Sequence, residues 1–152
     1  MDNFARDLRK AIDIKIVGQA KEFAKSVAAS AFRDVSATAN EAGGEFGSPL
    51  WSGRFRASNN ISVGSPDFSV LPPNPSAKNH PTPVASPYKS NSNADAISAL
   101  QSFKLGDTIY IANGLPYARR IEFDGWSAQV PNGVFSVAKE RVKAKYANVK
   151  VG

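Results

Sequence analysis

Apolar residues recur every four positions from the start of the chain, at Phe4, Leu8, Ile12 and Ile16, and beyond Ala20 the stripe continues through Phe23, Val27 and Ala31. Each four-residue step drifts about 40° on a helix of 3.6 residues per turn, and the three-residue step from Ala20 to Phe23 turns the stripe back. Arg6, Lys10, Asp13 and Lys21 fall on the other side. The pattern predicts one long amphipathic helix, with Asp2 or Asn3 placed to cap it. Gly18 costs that helix about 1 kcal/mol relative to alanine. Unbroken to about Val35, it is roughly 50 Å long. A helix of that length either braces a sheet along its whole extent or packs against a neighbouring chain.

The next segments change period. Residues 40–50, NEAGGEFGSPL, hold three glycines and a proline and predict a loop. In WSGRFRASNNISVG, Ile61 and Val63 alternate with Asn60 and Ser62, the pattern of a strand. A second strand is expected in DTIYIAN, where Ile109 and Ile111 alternate with Tyr110 and Ala112. Between them, Pro66, Pro72, Pro73, Pro75, Pro81, Pro83 and Pro87 exclude helix and central strand, so residues 66–92 are expected as a mobile surface loop or an extended arm that orders on a partner. A short helix, ADAISALQSF, is expected to start at Ser92 or Asn93, with Ile97 and Leu100 on one face. Ile121 and Phe123 alternate with Arg120, Glu122 and Asp124, which predicts a third, half-buried strand. The last segment, GVFSVAKERVKAKYANVKVG, opens apolar and becomes a basic helix. The elements sum to a single α+β domain over residues 1–152. Its long N-terminal helix packs on a small, mainly antiparallel sheet, with a C-terminal helical segment and a long Pro-rich loop.

Composition narrows the function classes. The chain has 152 residues, 42% of them hydrophobic, which suits one globular domain. With no cysteine it has neither disulfides nor thiolate metal sites. No apolar run approaches the roughly 18–20 residues that cross a bilayer, and the N-terminus lacks the apolar run of a secretion signal. A soluble, intracellular product without a membrane partner is expected. The net charge of +6 favours an acidic partner, nucleic acid foremost. Lys139, Arg141, Lys143 and Lys145 carry that charge on the C-terminal helix, with 141 and 145 on one face and 139 and 143 on another. They are candidate contacts to DNA or an acidic partner, on a solvated basic helix that lacks the aromatic interleaving of a single-strand platform.

Catalysis has little to build on. On a strand, Glu122 and Asp124 share a face, as an acid/base pair requires, but no polarising third group accompanies them. Arg119 and Arg120 stand close enough in sequence to pair with these acids. Alternatively, Glu122 forms an ion pair with Arg54 or Arg56, or caps backbone donors. His80, the only histidine, lies among prolines and completes neither a nucleophilic triad nor a two-histidine zinc motif. No glycine-rich phosphate loop is present. No catalytic residue, metal or cofactor is expected.

Two short blocks carry more information together than apart. In residues 113–133, NGLPYARRIEFDGWSAQVPNG, the ordered set is Asn113, Pro116, Tyr117, Ala118, Ile121, Glu122, Gly125, Ser127, Gln129, Pro131 and Gly133. The second block is Ser52, Gly53, Arg54, Phe55, Arg56, Ala57 and Ser58. In order and spacing they resemble the neck, or tail-completion, proteins of tailed bacteriophages, over nearly the whole chain outside residues 66–92. That resemblance implies a structural virion protein forming a homo-oligomeric ring of six or twelve copies, which joins the DNA-filled capsid to the tail and is assembled in the host cytoplasm. Its implied partners are head-closure or connector proteins, tail terminator or tail-tube proteins, and genomic DNA in the lumen without sequence specificity. The alternatives are a tail terminator capping the tail tube and, from a different class, a basic DNA-binding protein. Phe4, Leu8, Trp126 and Phe135 are the apolar candidates for a subunit interface, with core packing the competing role for Trp126 and Phe135.

Overall fold

A computed structural model describes residues 2–40, 42–89 and 93–149. Helix α1 spans Asp2–Ser36, α2 Arg54–Ala57, α3 Asn93–Ala99, α4 Ala118–Phe123 and α5 Phe135–Tyr146, with single 3-10 turns at Pro75–Ala77 and Leu100–Ser102. Strands β1 (Asn59–Val63) and β2 (Ile109–Asn113) pair antiparallel in the register Asn59↔Asn113, Ile61↔Ile111 and Val63↔Ile109. The chain is therefore α+β, with a long N-terminal helix, a two-stranded antiparallel sheet and a C-terminal helix. Ser92, one of the two expected starts of α3, lies outside the described residues, as do Lys150 and residues 90 and 91.

One core unites the elements. Phe32 and Val35 of α1, Phe55 of α2, Ala96 of α3, Ile121 of α4 and Ala138 of α5 are buried together. Only the C-terminal half of α1 takes part in this packing. There α5 lies along it through four successive contacts. Arg141 pairs with Asp34 at 3.0 Å, and Lys145 reaches the Ser30 hydroxyl at 3.2 Å. Tyr146 donates to the Ser26 carbonyl at 3.3 Å and meets Phe23 edge-on at 5.6 Å. These partners recur every three or four residues, so α5 covers the same face that begins further up as the Phe4–Leu8–Ile12–Ile16 stripe. Helix α5 ends at Tyr146, and the cover ends with it. Every residue from Asn3 to Gln19 is exposed. The first half of α1 thus stands clear of the body as an arm instead of bracing the sheet.

Three sequence expectations change. Residues 118–123 form α4 and not a strand. Leu115, Ala118, Ile121 and Glu122 are buried or half-buried at a helical spacing, whereas Phe123 is 70% exposed. A five-residue alternation fits both periods, and the cover from α2 and α5 decides for the helix. In α3 the buried face is Ala96 with Leu100, and Ile97 is exposed. The proline-rich segment contains no strand or α-helix from 66 to 89, yet it is fastened to the body on either side of residues 75–83. The Asn60 amide donates to the Asp67 and Ser69 carbonyls, Arg54 Nε to the Leu71 carbonyl at 2.6 Å, and the Val84 amide to the Trp51 carbonyl at 2.8 Å. It is a strap laid over α2 and β1.

Candidate functional site

The two sequence blocks meet around α2 and α4. At the end of β2, the Asn113 side-chain amide donates to the Phe55 carbonyl at 2.9 Å and to Asn59 Oδ1 at 2.8 Å. Its own oxygen accepts from the Leu115 amide at 3.1 Å. The buried Asn59 passes the connection on, donating to the Val35 carbonyl and to Ser48 Oγ, both at 3.0 Å. Ser48 Oγ in turn donates to the Val35 carbonyl at 2.5 Å, and Arg56 Nε donates to the Ser36 carbonyl. The last carbonyls of α1, which lack helical partners, are thereby satisfied by side chains from α2, β1 and the following loop. A buried polar chain fixes one arrangement of its elements when its members are paired, and of the groups at this helix end the buried Ser36 hydroxyl is the one left without a partner among the described residues. Here it fixes the root of the arm.

Glu122 belongs to a different device. Its carboxylate accepts from the amides of Val134, Phe135 and Ser136 at 2.7, 2.9 and 2.7 Å and from the Ser136 hydroxyl at 2.5 Å. These are the free donors of the first turn of α5, where the helix dipole also favours a negative charge. Partial burial raises the carboxyl pKa, but the Ser136 hydroxyl and the three amides outweigh it, and the net position is below the ordinary carboxylate range. The close approach requires Gly133. A Cβ there would lie 2.8 Å from the Glu122 carbonyl oxygen, and its φ of +88° strains any other residue. Of the two readings open in the sequence, capping is the one the geometry contains. No ion pair joins Glu122 to Arg54, Arg56, Arg119 or Arg120 among the described residues. Arg119 instead lies over the Phe123 ring at 5.5 Å and Arg120 over the Trp126 ring at 4.9 Å. On a helix, Glu122 and Asp124 are about 200° apart and no longer share a face.

Between the blocks lies a cleft of about 460 Å³, walled by Pro49, Trp51, Gly53, Phe55, Tyr117, Ile121, Trp126 and Ser127. Gln129 fixes one wall by exchanging two hydrogen bonds with the Leu50 backbone, at 2.9 and 3.0 Å. Tyr117 and Trp126 stack at a tilt, 5.7 Å between centroids. Burial raises the Tyr117 pKa more than the neighbouring Arg54 lowers it. Gly125, at φ +61°, supplies the bend that turns Trp126 back toward Tyr117. Pro116 and Pro131 are exposed at the two ends of this segment.

The remaining candidates separate. Phe4 is 73% and Leu8 50% exposed on the arm. Phe135 is half-buried against the core, while Trp126 is 53% exposed. Arg141 and Lys145 are engaged with α1, and Arg141 also covers the Phe46 ring at 3.6 Å. Lys139 and Lys143 face outward, the latter beside Glu140 at 3.4 Å. Among the described residues, no cluster of His, Asp and Glu is placed to hold a metal ion, and no helix is long and apolar enough to cross a membrane. Sequence reasoning did not identify Trp51, Ser48 or Asn59 as site residues. The Asn59–Asn60 pair at a strand start was the available signal for a side chain that serves backbone carbonyls. Compared with protein-family models, with curated proteins and with solved structures, the chain matches none of them.

Proposed function

We propose that this chain is a structural subunit that assembles with copies of itself into a ring, at the neck joining capsid to tail in a tailed phage. The observation that carries assembly is the arm. Phe4, Leu8, Ile12, Ile14, Ile16 and Val17 are all between 48% and 73% exposed along one helix. Most helical stability in proteins comes from packing of an apolar face, and along the arm that face is unpacked, with β-branched residues and Gly18 beside it. Contiguous exposed apolar groups mark a surface that another protein covers. Ile14 and Val17 lie off the stripe, 200° from Ile12 and 100° from Ile16 respectively. The arm therefore offers apolar groups on more than one side, as an element inserted between two neighbours needs.

The place in the virion rests on the two sequence blocks and their order. Their residues build the root of the arm, the cap of α5 and the aromatic cleft, which are scaffold tasks and not chemistry. DNA in the lumen would be met by outward lysines such as Lys139 and Lys143 through charge alone.

The test is assembly of the purified full chain, followed by sedimentation and by electron microscopy of particles. Rings are expected for the native sequence. Phe4→Asp with Leu8→Asp is expected to stay monomeric with an unchanged body, read from near-ultraviolet circular dichroism. A native chain that remains monomeric at millimolar concentration, alone and with connector rings added, overturns assembly. Virions whose head–tail junction lacks the polypeptide overturn its location.

A further inference from the structure

Strand β2 pairs with β1 along one edge and with no strand along the other. The ladder continues one step past β1, where the Gly64 amide donates to the Thr108 carbonyl at 2.8 Å. Hydrogen-bonded pairs alternate with unbonded ones along an antiparallel ladder, so Tyr110 and Ala112 turn their backbone groups to β1. The N–H and C=O groups of Ile109, Ile111 and Asn113 point the other way, and none of them is hydrogen-bonded among the described residues. Apart from being short, β2 has none of the features that keep an edge from pairing: no charge, no proline and no bulge.

A groove runs along this edge. A recess of about 590 Å³ touches all four residues from Tyr110 to Asn113. Successive side chains of a strand point to opposite faces, so a recess touching all four lies beside the strand and not over one face of it. Phe68, Arg119, Phe123 and Phe135 are among its other walls. A second recess, of about 300 Å³, continues from Ile111 and Phe135 to Val35, Ala138 and Val142. The walls are mainly apolar, and the free charges on them have one sign. Arg119, Lys139 and Lys143 line the two recesses and are exposed. Lys139 has no ion-pair partner among the described residues, and Lys143 has the exposed Glu140. The one acid on the walls is Glu122, and both its oxygens are taken up by α5.

We propose that the free edge of β2 takes up an extended, acidic segment of another protein as a third strand of the sheet. A row of unpaired backbone groups fixes the form of the occupant. They recur at every second residue, about 6.8 Å apart, and an extended chain presents donors and acceptors at that spacing. Neighbouring strands lie about 4.8 Å apart, so the added chain lies in the groove itself. The apolar walls select apolar side chains at alternate positions, and the three cations select acids beside them. The arm of a second copy does not meet these terms. It is helical, with its backbone groups already bonded within the helix, and residues 3–19 carry four cations against two acids. Duplex DNA would meet the lysines, but it leaves the strand edge and the apolar walls without partners. The proposal holds whether or not the chain forms a ring.

Amide hydrogen exchange, followed by NMR on the full chain at a dilution where it sediments as monomer, reads the edge residue by residue. In the free protein the Ile109 and Ile111 amides should exchange at least tenfold faster than those of Tyr110 and Ala112, and equal protection overturns the free edge. The probe is a synthetic peptide of alternating valine and glutamate. It should slow exchange at Ile109 and Ile111 at least tenfold. Its valine–lysine counterpart should bind at least tenfold more weakly at low salt. Lys139→Glu with Lys143→Glu, both exposed positions, should reverse that preference. The acidic peptide N-methylated along its backbone keeps its side chains and loses its donors, and should also bind at least tenfold more weakly. No slowing at the edge by the acidic peptide overturns the proposal, as does equal binding of the lysine or the methylated peptide. Slowing by a peptide of residues 3–19 and not by the acidic one gives the edge to a second copy and overturns the acidic partner. Duplex DNA that shifts Lys139 and Lys143 while the acidic peptide leaves the edge amides unchanged gives these lysines to nucleic acid and overturns it likewise.

Discussion

A carboxylate that is partly buried with no arginine beside it must be solvated some other way, and Glu122 is solvated by the first turn of α5. Hydrogen bonds to a charged group are each stronger than neutral ones, and a lost helix cap alone costs about 1 kcal/mol. Glu122→Ala is therefore expected to lower stability by about 2–3 kcal/mol, read from urea midpoints at pH 7, with Glu122→Gln intermediate because one oxygen remains. The pH dependence follows from the lowered pKa. The unfolded chain protonates this group near pH 4.3, and the folded chain below that. The stabilisation is therefore complete above the unfolded value and is lost as pH falls through the folded one. The stability gap between the native chain and Glu122→Gln should stay level from pH 7 to about pH 5 and close below about pH 4. A gap that is unchanged at pH 3 would show that shape, and not the charge, is what α5 requires.

Elements with a long regular pattern were legible in the sequence, and elements shaped by their neighbours were not. The stripe of α1 repeats from Phe4 to Ala31, about 7.5 turns, and the two five-residue strands lie where they were expected although all but one of their residues are half-buried alike. Helix α4 has six residues, too few to separate a period of 2 from one of 3.6. Only its cover shows that Ile121 is inside and Phe123 outside. The cleft was legible in part. The two blocks name Tyr117, Trp126, Ser127 and Gly53, but Trp51 enters because the strap and Gln129 hold residues 49–51 in place, a long-range effect. At the same scale, Asp34 is buried and faces α5 with Arg141 as its ion-pair partner. Arg141→Ala removes that partner and the cover of Phe46, and because the guanidinium is partly exposed it is expected to cost about 1–2 kcal/mol. Arg141→Lys should recover little, since an ammonium does not lie flat on a ring as a guanidinium does. Thermal melting of the three proteins checks this, and equal midpoints would reduce the pair to a surface contact.

For the whole molecule, the division between arm and body sets how copies associate. Six large apolar side chains on the arm are about half exposed or more. Covering them is worth about 1 kcal/mol each, so roughly 6 kcal/mol per arm. Joining two free proteins costs about 4–15 kcal/mol in lost freedom, so a single arm contact leaves a pair weak. In a closed ring each subunit meets two neighbours, and the last contact is made within an assembly already formed. Assembly should accordingly pass from monomer to ring without a populated dimer, and sedimentation velocity across a concentration series checks this. The arm contributes nothing to the core, because among the described residues none before Ser30 is buried. Deleting residues 2–17 should therefore leave the urea midpoint of the body within about 0.5 kcal/mol of the native value. The shortened chain should sediment as monomer where the intact one forms rings. A loss of more than about 2 kcal/mol would make the arm part of the fold, beyond the range of a change away from buried contacts. Rings formed without the arm would place the subunit contact elsewhere.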